Sequence, residues 1–104
     1  MAIAIVGVGE TDYSFTDPRP VPALALDACR RALDDAGLVP ADVDGFVTED
    51  VTMGANAPID EVAVRLGVRD RRFSAATGVA GAGIVAAVQV AQLAIEAGLA
   101  DVVL

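Results

Sequence analysis

Apolar positions fall into short and long blocks along this chain, and the blocks predict its elements. Ala2 to Gly9 is apolar and β-rich, so it predicts a buried first strand. Glu10 to Pro22 is a polar loop, stiffened by Asp17-Pro18-Arg19-Pro20. From Pro22 to about Ala36 the spacing turns helical. Ala25, Ala28, Cys29, Ala32, Leu33 and Ala36 form one apolar stripe, and Asp27, Arg30, Arg31, Asp34 and Asp35 take the wet side. Pro22 suits a first turn, and Gly37 ends the helix. Gly45-Phe46-Val47-Thr48 predicts a second strand, Glu49 to Pro58 a loop with Gly54 and Asn56 as turn residues, and Ile59 to Leu66 a second helix closed by Gly67. Arg71 to Thr77 predicts a third strand and Ala80 to Ala97 a third helix with Gly98 as its cap. Asp101-Val102-Val103-Leu104 begins a fourth strand. The order β-α-β-α-β-α-β predicts an α/β fold, a mainly parallel sheet with helices on both faces.

The third helix differs from the other two. No charged residue occurs from Phe73 to Ile95, and only Gln89 and Gln92 interrupt the apolar run after Ile84. A helix that is apolar nearly all round has no face for water. It is expected to lie enclosed, with the sheet on one side and, on the other, something these residues do not supply. A membrane span is not expected, because Ala and Gly dominate over Leu, Ile and Phe and glycines interrupt the front end. The helix opens from Gly78-Val79-Ala80-Gly81-Ala82-Gly83, where free N–H groups and the helix dipole favour negative charge. Glycine in a helix costs about 1 kcal/mol relative to alanine. Close approach of a backbone or a ligand is the usual compensation, so Gly78, Gly81 and Gly83 are candidate substrate-binding residues, with helix packing as the alternative.

Composition narrows the chemistry. The hydrophobic fraction is 55% but aromatic residues make up only 4%, which suits tight helix-on-sheet packing more than an aromatic ligand cage. A net charge of −8 argues against nucleic acid and against an anionic membrane surface. The chain has neither Lys nor His, which excludes a Schiff-base lysine, a histidine base and a histidine metal ligand within it. A single Cys leaves no internal disulfide and no cysteine zinc cluster. No metal and no resident cofactor are therefore expected. No basic segment precedes the opening apolar run, so no signal peptide is read and a cytoplasmic location is expected. The Val-Val-Leu run reaches Leu104 with no turn after it, which predicts that residues 1–104 are part of a longer protein.

Several motifs carry two readings. Gly7-Val8-Gly9 hints at a dinucleotide fingerprint, but Asp12 stands at the third glycine position and no helix begins there. Gly81-Ala82-Gly83-Ile84-Val85-Ala86 fits the same pattern at a strand-to-helix junction, without the acidic residue that would follow the next strand. Cys29 lies mid-helix on the apolar stripe and reads as a structural thiol rather than a nucleophile. Arg65, Arg69, Arg71 and Arg72 read as turn arginines paired with Asp60, Glu61 or Asp70, with phosphate contact as the functional alternative. Glu49 and Asp50 end the second strand, where α/β sheets bind ligands. An acid/base role and a merely solvated strand end are the two readings there.

Three segments resemble the thiolase-like lipid-transfer proteins. The first is Ala4-Ile5-Val6-Gly7-Val8-Gly9-Glu10-Thr11-Asp12-Tyr13-Ser14. The second is Ala32-Leu33-Asp34-Asp35-Ala36-Gly37-Leu38 with Asp42-Val43-Asp44-Gly45-Phe46-Val47-Thr48. The third is Ile95-Glu96-Ala97-Gly98-Leu99-Ala100-Asp101-Val102-Val103-Leu104, after Ala86-Ala87-Val88-Gln89. The resemblance spans the chain and implies the first βαβαβαβ half of a thiolase-like fold, whose second half would cover the third helix. It also implies a nucleophilic cysteine at the start of that helix. Counting back from Ile95, the matching position is Gly81, and neither it nor Val79, Ala80 or Ala82 is a cysteine. Similar relatives without that cysteine include the retro-aldolases of steroid side-chain degradation, which act on coenzyme A thioesters and pair with a small OB-fold partner. Their acid/base residues would lie beyond this segment. The resemblance thus implies a thiolase-like lyase or acyltransferase acting on acyl-CoA or lipid thioesters, homodimeric as a whole protein, with retro-aldol cleavage favoured by the missing sulfur. Here Gly81 and Gly83 would make room for a thioester or offer N–H groups to an enolate oxygen. A non-catalytic lipid-binding or scaffold subunit and a nucleotide-binding α/β domain are the competing readings.

Overall fold

A computed structural model describes residues 2–49, 58–78 and 80–104. Helix α1 spans Val21–Ala36, strand β1 Gly45–Glu49, helix α2 Ile59–Leu66, strand β2 Phe73–Thr77 and helix α3 Gly83–Glu96. Short 3₁₀ turns at Pro40–Asp42 and Ala80–Ala82 precede β1 and α3. The expected loop turn at Gly54 and Asn56, like Asp50, lies outside the described residues.

The helix boundaries follow from local chemistry. Pro20 and Pro22 hold the backbone at the start of α1, and Gly37 ends the helix at φ 70°, a left-handed conformation that glycine adopts without penalty. Gly67 ends α2 in the same way at φ 90°. After α3 the Leu99 N–H donates to the Ala94 carbonyl at 2.9 Å, with Gly98 at φ 75°.

β1 and β2 run parallel in register from Gly45 opposite Phe73 to Glu49 opposite Thr77. On the other edge of β1, Val102–Leu104 lies parallel. The Gly45 N–H donates to the Val102 carbonyl at 3.1 Å, and the Leu104 N–H to the Gly45 carbonyl at 3.0 Å. The expected fourth strand is thus present as a bridge between Gly45 and Val103. Asp44 fastens this end of the sheet. Its carboxylate accepts from the Asp101 and Val102 N–H groups at 2.9 Å each and from the Arg72 guanidinium at 3.3 Å.

Side chains alternate across a strand. Phe46 joins Leu33 of α1, Val43, and Ala63 and Leu66 of α2 in a buried cluster on one face. Gly45, Val47 and Glu49 turn to the opposite face, where α3 packs. α3 sets Gly83, Ala86, Val90 and Ala94 inward, buried or half-buried, at helical spacing. The α/β architecture with a parallel sheet and helices on both faces is as the sequence predicts.

One expectation is corrected here: Ala2 to Gly9 forms no strand. It lies along α1 instead, where the Val8 N–H donates to Asp35 Oδ2 at 2.9 Å. A Cβ at Gly7 would meet the Ala32 carbonyl oxygen and Ala36 Cβ, and one at Gly9 would meet the Ala28 carbonyl oxygen and the Ala32 nitrogen. These glycines therefore serve helix packing, not a dinucleotide. The segment's apolar residues stay exposed, Ile5 at 73% and Val8 at 72%, because no described strand runs beside it to complete a ladder. On α3, Ile84, Val85, Val88 and Leu93 are exposed, so among the described residues the helix is covered on its sheet side only, and these residues do not supply the expected cover on the other side. No helix among the described residues is long and apolar enough to cross a membrane.

Candidate functional site

The C-terminal ends of β1 and β2 bring together three residues. Glu49 is the last residue of β1, and Thr77 lies opposite it as the last of β2. Gly83, the first residue of α3, sits against the Glu49 side chain. Parallel strands must cross over through a helix, so the start of α3 returns over the strand ends.

Thr77 is buried, and its hydroxyl donates to the Gly83 carbonyl at 3.0 Å. This bond ties β2 to the first turn of α3 and uses the only hydrogen the hydroxyl has. Glu49 is different. Both carboxylate oxygens are buried, and neither has a hydrogen-bond partner among the described residues. The solvated reading of this strand end is therefore corrected for Glu49. A buried polar group without a partner carries a desolvation cost, and such groups in native structures call for a reason.

Gly83 makes this placement possible. A Cβ there would overlap the Glu49 carboxyl carbon and Oε1. The start of α3 has no side-chain cap and no acidic residue in its first turn, so its free N–H groups meet negative charge only from outside the helix. Gly78 and Gly81 behave otherwise. No described atom lies within 4 Å of a Cβ built on either one. Of the three candidate glycines, only Gly83 shows close packing. Gly81, at the position of the thiolase cysteine, lies in the 3₁₀ turn just ahead of α3 and is exposed.

The remaining candidates resolve into structural roles. Cys29 faces the core cluster on α1, and burial pushes its thiol above the usual range, which suppresses the thiolate. Arg65 pairs with Glu61 at 3.1 Å, Arg71 with Asp60 at 2.6 Å and Arg72 with Asp44 at 3.3 Å. These three arginines are engaged in ion pairs, Arg72 with Asp44 rather than with the expected Asp60, Glu61 or Asp70. A separate apolar cleft of about 670 Å³ lies between the 2–7 segment and α3, lined among others by Ile3, Ile5, Val47, Ile84 and Val88. It does not include Glu49, Thr77 or Gly83.

Sequence reasoning named Glu49 but did not join it to Gly83. The available signal was a glycine at the first position of an alanine-rich helix together with a carboxylate ending an apolar strand.

No protein-family model matches the chain. It is 43% identical over 100 residues to a 17-hydroxy-3-oxo-4-pregnene-20-carboxyl-CoA lyase of Mycobacterium tuberculosis, covering 96% of this chain and 25% of that protein. It is 38% identical over 102 residues to a steroid side-chain-cleaving aldolase of Thermomonospora curvata, covering 98% of this chain and 25% of that protein. The chain thus spans about a quarter of the length of the curated relatives it matches. Among solved structures, the Ltp2-ChsH2(DUF35) aldolase superposes with a TM-score of 0.88 at 36% identity, over 96% of this chain and 25% of that one. A 3-oxoacyl-[acyl-carrier-protein] synthase III from Aquifex aeolicus superposes with a TM-score of 0.70 over 90% of this chain and 31% of that one. At 20% identity it speaks for the thiolase-like fold alone.

Proposed function

We propose, for a chain that is of the thiolase-like, steroid side-chain aldolase type over the length it spans, that it forms part of a carbon–carbon lyase. The substrate is read as a coenzyme A thioester of a steroid side chain bearing a β-hydroxyl. Retro-aldol cleavage would release a carbonyl product and a shortened acyl-CoA. The likeness to the M. tuberculosis lyase, 43% identity across 96% of this chain, carries this reading. The start of α3 supports it. Acyl transfer through a covalent enzyme intermediate needs a nucleophile there, and Gly81, Ala82 and Gly83 supply none. Aldol cleavage needs only proton transfer and stabilisation of an enolate, which buried carboxyl groups and helix N–H groups can provide.

The proposal extends to the finer points that the family resemblance implies. The whole protein is read as a cytoplasmic homodimer with a small OB-fold partner, and the exposed outer face of α3 is read as covered by further polypeptide of the same protein. The test is to incubate the whole protein with a β-hydroxyacyl steroid CoA thioester, with and without the partner. Release of the carbonyl product supports the lyase. Tight binding without turnover would favour the scaffold subunit, and tight NAD binding a nucleotide-binding domain.

A further inference from the structure

We propose that the loop from Glu10 to Asp17 is the docking surface for a separate, basic protein partner, with Tyr13 and Phe15 as its apolar anchors, an assignment that rests on the reading above that the whole protein works with a small partner. The chain has one Tyr and three Phe. Phe46 is buried and Phe73 half-buried, whereas Tyr13 and Phe15 are 90% and 109% exposed. The backbone that carries them is tied down on both sides. The Arg31 guanidinium donates to the Glu10 carbonyl at 3.0 Å and to Asp12 at 3.1 Å. Arg19 pairs with Asp17 at 2.8 Å and with Asp27 of α1 at 3.1 Å. Between these anchors the Tyr13 hydroxyl donates to Glu10 at 2.9 Å, and the Thr16 N–H donates to Ser14 Oγ at 3.1 Å. Two aromatic side chains on a fixed loop lose little freedom when a partner covers them.

The loop lies on the outside of the fold. Its anchors Asp27 and Arg31 share one face of α1 with the exposed Arg30 and Asp34, at helical spacing. An amphipathic helix turns such a face to water, whereas α3 has no polar face and needs cover from its own protein. The aromatic pair therefore projects from an outer surface. Charge selects the occupant. The carboxylates of Glu10, Asp12, Asp17 and Asp27 outnumber the guanidiniums of Arg19 and Arg31, and the chain carries a net charge of −8. A second copy would set like charge against like. The fitting occupant is a different protein, with an apolar pocket for the aromatics and Lys or Arg around its rim.

Binding of the whole protein to the proposed small OB-fold partner tests this through the double variant Tyr13→Ala, Phe15→Ala. Both side chains are exposed, so the variant should melt as the wild type does. Its Kd is expected to rise about 30-fold or more, the scale of an aromatic hot spot. Association of the wild type should slow as salt is added, as it does for opposite charges. A wild-type Kd in the double variant would overturn the docking surface while leaving the partner standing. Self-association of the whole protein that the double variant abolishes would give the surface to a second copy and overturn the proposal. Absence of any complex between the wild-type proteins would sink the partner reading and this surface together, whether or not the protein cleaves its thioester.

Discussion

Two carboxylates flank β1, and their surroundings are opposite. Asp44, just before the strand, accepts two backbone N–H groups and an arginine, and so locks the Arg72 and Asp101–Val102 segments to the sheet. Glu49, the last residue of the strand, is buried with no partner among the described residues. One end of the sheet is a satisfied network whose loss would loosen the fold. The other holds a buried acceptor, without a partner among the described residues, beside a helix start. The two faces of the sheet repeat the contrast. Phe46 and its neighbours close a core against α1 and α2, whereas α3 leaves Ile84, Val85 and Val88 exposed. A buried acceptor without a partner among the described residues calls for a reason, which the satisfied Asp44 does not.

The sharpest test of this contrast is Asp44→Ala. Removing a carboxylate bonded to backbone and arginine should cost about 2–3 kcal/mol in stability, measured by denaturant unfolding, while the kcat of the folded enzyme stays near wild type. If stability held and kcat fell, the two ends would have been assigned the wrong way round. Gly83→Ala comes next. Its methyl group would displace the Glu49 carboxyl, and because that group ends a flexible side chain the cost should stay near the low end of overpacking, about 1 kcal/mol. A structure of the variant should show the carboxyl moved, and an unmoved carboxyl would contradict the close packing of Gly83 against Glu49.

Gly81→Ala should do the reverse. The site is open, so the change should be tolerated and is expected to stabilise the protein by up to about 1 kcal/mol through the unfolded chain, seen as an unchanged or slightly raised Tm. A clear loss of stability would mean that Gly81 is closely packed after all. The smallest effect is expected at Asp17. Arg19 beside it holds this half-buried carboxyl at about 2, below the usual 3.8. A lowered folded-state value stabilises above about 3.8 and is lost as pH falls towards about 2. Asp17→Asn should therefore differ from wild type only slightly at neutral pH, and the difference should vanish in acid unfolding near pH 2.

Local chemistry made much of the fold legible. The expected α2, Ile59 to Leu66, matches the observed helix, and α1 differs by one residue, because Pro20, Pro22, Gly37 and Gly67 mark their ends. β1 and β2 were readable from short apolar runs bounded by polar turns. The Ala2–Gly9 strand was not foreseeable as unpaired, because an apolar run reports burial tendency and not whether a neighbouring strand is there to complete the ladder. The cover of α3 is illegible for a related reason: composition shows that a face needs cover without saying what supplies it. Glu49 was legible as a strand-end acid, but its burial depends on α3 crossing back over the strand. Contact between residues 34 positions apart is a tertiary fact that periodicity does not encode.

Chemistry without a sulfur at the start of α3 is tested most directly by rapid quench of the whole protein with a β-hydroxyacyl steroid CoA thioester, followed by product analysis and intact-protein mass. Carbonyl product and shortened acyl-CoA are expected to form with no mass added to the protein at any time point. An acyl adduct that forms and decays at the rate of turnover would contradict it.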